Sequence, residues 1–577
     1  MREGSEETGS IRPRRRARRL PVGIVVSLFL LSLPILGSAS PALWAEIGLG
    51  GYVVRWNYAP VRVSLSGIDR PIDGEIRLVQ LIGNPAEDPA EVDHVLYAGK
   101  ISDRRYEATV PIYDPLNRVR IEVRDVGGGL IASDEVDLRL KRRIGPFPAV
   151  CGIRISPSED AVFIDPSELP RDWWGFDPVK RLWIGGPGAA DEGWTTIGSW
   201  VTAGGSVVIF TGSDFYRFDT PALRRLIPIV DPCLATGPDG TEYLTGVLRP
   251  GARIAVERDG IPLLIIGGCG AGAVSLVALR PDQVSEAELA AIVTRAPTSR
   301  SLDAAPVAEE VLRETRVDRP SFLAALFLVA AVLAGFLWFA RRIDTRPRTG
   351  TVVLLLLTAG LTVASGLYIN RTKQPVWLYA IKLELSIEDA FGIKVGWYAL
   401  YANEAGSAGL AGDRGSYLIQ SALLSLAAAT YAAESEPEGT RIDLLPQERR
   451  DLAYYGRATP SIAFAFDGDS ATIDNRSGEP IDGGLIAVGG VAYPLPPIPP
   501  GQARIPLTDG RDLRLYESGY PALDLVVRRF EGRLGLDRGE WLIAVRSEER
   551  VEPDEESARK VRDLRIRLIR GGYDAGP

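Results

Sequence analysis

Histidine is almost missing from this chain: His94 is the only one in 577 residues. Most general-base, catalytic-triad and zinc chemistry draws on imidazole, so those classes start with nothing to build on. His94 lies in Glu91-Val92-Asp93-His94, which reads as a polar, solvated loop with no partner histidine. Methionine occurs once, at position 1. Cysteine occurs three times, at Cys151, Cys233 and Cys269, and never in CxxC spacing. A zinc site or a dithiol redox site is therefore unsupported, and no cofactor or metal is implied. In an oxidising compartment the three would allow one disulfide and one leftover thiol; buried, unpaired cysteines are the plainer reading. Excess positive charge is missing too. The net charge is −8, so no nucleic-acid footprint is present, and nucleic acid and nucleotide are not expected as partners.

What the chain does have is long apolar runs. Residues 321–340 (SFLAALFLVAAVLAGFLWFA) and 351–369 (TVVLLLLTAGLTVASGLYI) carry no charged side chain. At about 1.5 Å per residue each reaches the roughly 30 Å of a bilayer core. Arg341, Arg342, Arg346 and Arg348 lie between them, and arginines in short loops stay on the cytoplasmic side. Residues 321–369 thus read as a transmembrane hairpin with everything else outside. The expectation is a multi-pass protein of the bacterial inner membrane, with the lipid bilayer and an envelope or membrane protein as partners. At the N-terminus, Arg14, Arg15, Arg16, Arg18 and Arg19 precede the apolar run Val22–Leu36 and then Gly37-Ser38-Ala39-Ser40. Residues 1–45 are read as a signal peptide or N-terminal anchor. Tyr417–Ala433 is long enough for a further span, although Gln420, Ser421 and Ser425 dilute it.

Residues 46–145 alternate with period two. Val61, Val63 and Leu65 are set against Arg62 and Ser64, and Val119, Ile121 and Val123 against Arg120 and Glu122. About seven short strands of this kind predict an immunoglobulin-like β-sandwich. Residues 146–300 change rhythm, with apolar runs at Val150–Ile155, Leu182–Ile184 and Val207–Phe210. Between the last two, Trp194, Ile197, Trp200 and Val201 share a helical face that Gly204-Gly205 closes. Helices alternating with fully apolar strands predict a parallel, doubly wound sheet of flavodoxin-like type. Gly267-Gly268-Cys269-Gly270-Ala271-Gly272 lacks the Lys and Ser/Thr of a phosphate loop and runs into another strand, so it reads as a hairpin. Residues 301–320 form a linker. Residues 370–577 are again strand-like, with Ile462, Phe464 and Phe466 alternating with Ala463 and Ala465 and a helical insert near Ala522–Phe530. Trp377 and Tyr379 would sit at the headgroup level beside the hairpin.

The stretch Leu169-Pro170-Arg171-Asp172-Trp173-Trp174-Gly175-Phe176-Asp177, followed by Trp200-Val201-Thr202-Ala203-Gly204-Gly205, carries a resemblance. It looks like the degenerate class I glutamine amidotransferase-like domains of large bacterial envelope proteins of unknown function, which lie between a β-sandwich and a membrane segment. Active members use a cysteine on a strand-to-helix elbow with a histidine and an acid. Here the elbow reads Thr211-Gly212-Ser213-Asp214 and residues 146–300 hold no histidine, so the resemblance implies a fold without its chemistry. Ser213 would need a base, and Lys180 could serve only if the fold brought it near. Ser213, Asp214 and Asp219 remain ligand-binding candidates, because open α/β sheets collect ligands at their carboxyl edge. The expected function is non-catalytic binding or scaffolding by extracytoplasmic domains. The alternatives are an accessory subunit of a transport or secretion complex and a carboxylate-dependent hydrolase of envelope glycan using Asp160, Asp214 or Asp219.

Overall fold

The computed structural model describes residues 41–299 and 376–571, apart from short breaks within both spans. Most of what it describes is strand, with four α-helices: α1 (Asp191–Thr202), α2 (Pro221–Leu226), α3 (Glu286–Arg295) and α4 (Pro521–Leu534).

The N-terminal strands form a β-sandwich. Ala42–Ile47, Asn57–Ser66 and Arg105–Ile112 make one antiparallel sheet. Ala90–Ile101, Ile72–Ile82, Arg118–Asp125 and Leu130–Asp137 make the other. Val61, Val63, Leu65, Val119, Ile121 and Val123 meet in the core between them, as alternation requires. His94 departs from expectation. It lies within strand Ala90–Ile101, opposite Leu78, and its ring stacks on Tyr113 at 5.7 Å. The polar neighbours Glu91 and Asp93 suggest a loop, but pairing with Ile72–Ile82 on one side and with Tyr431–Glu436 on the other makes it sheet.

The next sheet is mixed. Val162–Ile164, Phe147–Cys151, Val179–Gly185, Ser206–Phe210 and Gly272–Val277 lie parallel in that order. Ile261–Cys269 and Arg253–Arg258 then continue it antiparallel. Both faces are covered, which explains the unbroken apolar runs. Ala149, Leu182, Ile184, Val207 and Ile209 pack towards α1, whereas Val150, Trp183, Val208 and Phe210 pack towards Ile292 of α3. The expected alternation of helix and strand is thinner than the reading allowed. The connections on either side of Val162–Ile164 contain no α-helix, only 3-10 turns at Pro166–Glu168 and Trp173–Phe176. Prolines at 157, 166, 170 and 178 interrupt helical hydrogen bonding there. The glycine-rich stretch is a hairpin between Ile261–Cys269 and Gly272–Val277. Gly272 is required by its neighbour: a Cβ there would lie 2.1 Å from the Val201 carbonyl oxygen, where α1 ends.

The C-terminal region is a nine-stranded sheet with Val376–Glu388 and Ala558–Arg570 at its centre. Leu383, Leu385 and Ile387 face the shared core, against which Val526 and Phe530 of α4 pack. The alternate residues in the second half of strand Val376–Glu388, from Lys382 to Glu388, are polar: Glu384 meets Lys382 at 3.3 Å and Lys394 at 3.6 Å, and Glu388 meets Arg567 at 3.7 Å. Trp377 and Tyr379, assigned above to a membrane interface, instead begin this central strand.

Among the described residues no helix is long and apolar enough to cross a membrane. The longest, α4, has 14 residues and carries Asp524, Arg528, Arg529 and Glu531, so its rise is about 21 Å. The expected multi-pass inner-membrane placement is corrected accordingly. The segments that suggested it, residues 1–40 and 321–369, lie outside the described residues, as does the linker. The ends of Tyr417–Ala433 are strands, Tyr417–Ile419 and the start of Tyr431–Glu436; its middle is outside the described residues.

Candidate functional site

The carboxyl edge of the mixed sheet was the expected site. Strand Ser206–Phe210 leads there into a 3-10 turn over Gly212–Arg217. Thr211 donates its hydroxyl to the Val277 carbonyl at 3.0 Å. Gly212 turns at φ +54°, where a Cβ would lie 2.5 Å from the Arg280 nitrogen. Ser213 and Asp214 are half-buried beyond this turn. Asp214 forms an ion pair with Arg217 at 3.5 Å. Arg224 Nε donates to both oxygens of Asp219, at 2.8 and 2.9 Å. Each acid is thus matched by its own arginine. Lys180 cannot act on Ser213: it stands at the start of strand Val179–Gly185, the opposite end of the sheet. Asp160 is 85% exposed and lies on that same far side, ahead of strand Val162–Ile164, so the three acids do not form a hydrolase pair.

None of the three cysteines is disulfide-bonded, so the possible disulfide among them is not formed and all three stand unpaired. Cys151 ends a buried strand, and burial pushes its thiol up to about 12. Cys269 is buried, with its sulfur 3.7 Å from Thr202 Oγ1, and Cys233 is exposed. A thiol held so far above neutrality is neither nucleophile nor ligand. The native chain is expected to react with one equivalent of an aromatic disulfide reagent, at Cys233. The other two thiols should react only in denaturant, which a two-step absorbance titration reads directly.

The amino edge holds a cleft of about 840 Å³. Arg142, Arg143, Lys180 and Arg181 line it, with Asp160 the one carboxylate among its lining residues. Three strand starts place these cations. Arg142 and Arg143 form a short strand parallel to Val53–Val54 of the sandwich, just ahead of Phe147–Cys151. Lys180 and Arg181 open the neighbouring strand. Arg181 is committed to structure. Its Nε donates to the Pro297 carbonyl at 2.8 Å, its Nη1 to the Val293 carbonyl at 2.9 Å, and its Nη2 to the Ala296 carbonyl. It thereby caps the C-terminus of α3, where a cation is favoured. Ser206 Oγ donates to the Pro297 carbonyl at 2.7 Å and holds the same segment down. Arg143 lies over the Tyr52 ring at 4.5 Å and reaches Asp160 only at 3.9 Å. Among the described residues no carboxylate lies within ion-pair distance of Arg142 or Lys180. Sequence reasoning missed this cleft. Its one local signal is the basic run Arg139-Leu140-Lys141-Arg142-Arg143, and Lys180 joins only through strand pairing.

No protein-family model and no curated protein matches the chain. Three solved structures share parts of it. Two are titled cytoplasmic proteins of Salmonella typhimurium. STM3548 is 12% identical over 24% of this chain and 82% of its own, with a TM-score of 0.19. STM1381 is 14% identical over 23% and 78%, with a TM-score of 0.18. The third is an immunoglobulin-like protein of Pseudomonas aeruginosa, PA1606, 15% identical over 18% of this chain and 99% of its own, with a TM-score of 0.13.

Proposed function

We propose that the chain is a non-catalytic binding or scaffolding protein built on a degenerate glutamine amidotransferase-like domain (residues 146–300). An immunoglobulin-like sandwich (46–145) precedes that domain and a β-rich domain (370–577) follows it. One observation carries this reading. Where an active relative would hold cysteine, histidine and acid, this chain has Ser213, with no base beside it among the described residues, and two acids tied to arginines. A hydroxyl without a positioned base is a poor nucleophile at neutral pH. The parallel strands support the domain assignment, since their spatial order by sequence, 2-1-3-4-5, is that of flavodoxin-like sheets. The test uses the purified full chain with glutamine and with nitrophenyl esters. Ammonia and nitrophenol should appear no faster than from Ser213→Ala. Turnover that this substitution or Asp219→Asn abolishes would reject the reading.

A further inference from the structure

The cationic cleft is a built feature rather than an accident of surface charge. Its floor is the amino end of two strands pinned by the three hydrogen bonds of Arg181, and one wall belongs to the sandwich through the pairing of Arg142 and Arg143 with Val53 and Val54. Arg142 and Lys180 open into it with no acidic partner among the described residues, and Arg143 keeps only a long contact with Asp160. Arg142 and Lys180 are exposed and of one sign on the lining of one cleft, so an anion that enters meets their charge with only Asp160 to compete.

Three properties narrow the ligand. A volume of about 840 Å³ exceeds what one small ion fills. Guanidinium forks suit groups that present several oxygens, and phosphate meets that demand with more charge per group than carboxylate. The aromatic rings lining the cleft, Phe147 and Trp183, are 2% and 1% exposed, so no ring is offered for a nucleobase to stack on. We infer that the cleft binds phosphoryl groups that carry no base, with Arg142, Arg143 and Lys180 holding the phosphoryl oxygens. The same oxygens can come from a soluble oligophosphate or from phospholipid headgroups. A headgroup source would also use the exposed apolar side chains of the same basic segment, Ile144 at the cleft (97% exposed) and Leu140 two residues before Arg142 (92%).

This inference rests on the binding reading above, and its test separates the two. The full chain is titrated calorimetrically with sodium tripolyphosphate, and the solution is then analysed for shortened phosphates. Binding that weakens with added salt and drops roughly tenfold or more in Arg142→Ala/Lys180→Ala is the expected result. Both side chains lie on the surface of the cleft, so an unchanged melting temperature shows that the double variant is folded. Co-sedimentation with phosphatidylcholine vesicles, with and without phosphatidylglycerol, forms the second arm. Capture by the anionic vesicles alone, lost in both the double variant and Leu140→Asp/Ile144→Asp, assigns the headgroup source and upholds the cleft. No binding in either arm, or binding that the double variant leaves intact, overturns the inference and leaves the non-catalytic reading standing. Shortening of the phosphate chain would reject the non-catalytic reading and leave the cleft as a binding site.

Discussion

Replacing Trp173 by alanine is expected to destabilise the protein by about 3–5 kcal/mol, the range for a fully packed indole. The effect should reach beyond the strands next to it. Trp173 is 6% exposed in the 3-10 turn Trp173–Phe176, which packs on α1 and on two sandwich strands. Its Nε1 donates to the Gly456 carbonyl at 2.9 Å, on a strand of the nine-stranded sheet. Its ring meets Tyr455 edge-on at 5.4 Å, and Tyr455 in turn meets Tyr58 of the sandwich at 5.3 Å. One indole therefore ties the mixed-sheet domain to the nine-stranded sheet directly and to the sandwich through Tyr455. Nearby contacts repeat the connection: Ser199 Oγ of α1 donates to the Phe391 carbonyl at 2.9 Å, and Arg457 donates to the Arg171 carbonyl at 2.8 Å. Urea unfolding of the native chain, followed by tryptophan fluorescence and by far-ultraviolet circular dichroism, should give coincident transitions. In Trp173→Ala the transitions should fall to lower urea and separate, because the shared anchor is gone. Transitions that stay coincident and unshifted would show that the parts are held together elsewhere. Trp173→Phe should recover part of the loss, since it keeps the ring contacts and gives up the hydrogen bond.

Acid should remove the stability that His94 contributes to the sandwich. Burial lowers His94 from its ordinary 6.5 to about 4. Its Nε2 is buried without a hydrogen-bond partner, Leu78 stands opposite on one side and Ala433 on the other, and Tyr113 covers the ring. Between pH 6.5 and pH 4 the unfolded chain binds a proton that the folded chain refuses. Stability contributed by neutral His94 is therefore complete above pH 6.5 and is lost as the pH falls to about 4. The full shift corresponds to about 3 kcal/mol, and about 2 kcal/mol is expected because the ring is only partly buried. His94→Phe keeps the stack on Tyr113 and removes the proton site, so the difference in melting temperature between native chain and variant should move in the variant's favour as the pH falls from 6.5 to about 4. Since the chain has one histidine, a single imidazole resonance reports the titration without assignment. A midpoint near 6.5 in that resonance would show the ring to be solvated after all.

Elements defined by local periodicity were legible before folding. The Val61, Val63 and Leu65 face, the helix carrying Trp194, Ile197 and Trp200, the glycine hairpin and the helix over Ala522–Phe530 all follow from spacing alone. In each, the residues that decide the element lie within a few positions of one another, so pattern and structure are one observation. The residue inventory was legible in the same way: the chain has one imidazole and three thiols, and no thiol directly follows strand Ser206–Phe210.

Long-range pairing decided the rest. His94 reads as loop because its sequence neighbours are charged, and it becomes sheet only when strands from two distant parts of the chain pair with it. Asp214 and Asp219 look like free carboxylates on paper, but the turn after the strand brings Arg217 to the first and α2 brings Arg224 to the second. Arg142 and Lys180 are separated by 38 positions, yet the pairing of Phe147, five residues after Arg142, with Val179 brings their two stretches of chain together. The cleft they line depends on register, and register is set by burying both faces of the sheet, a condition that no local pattern of charge records.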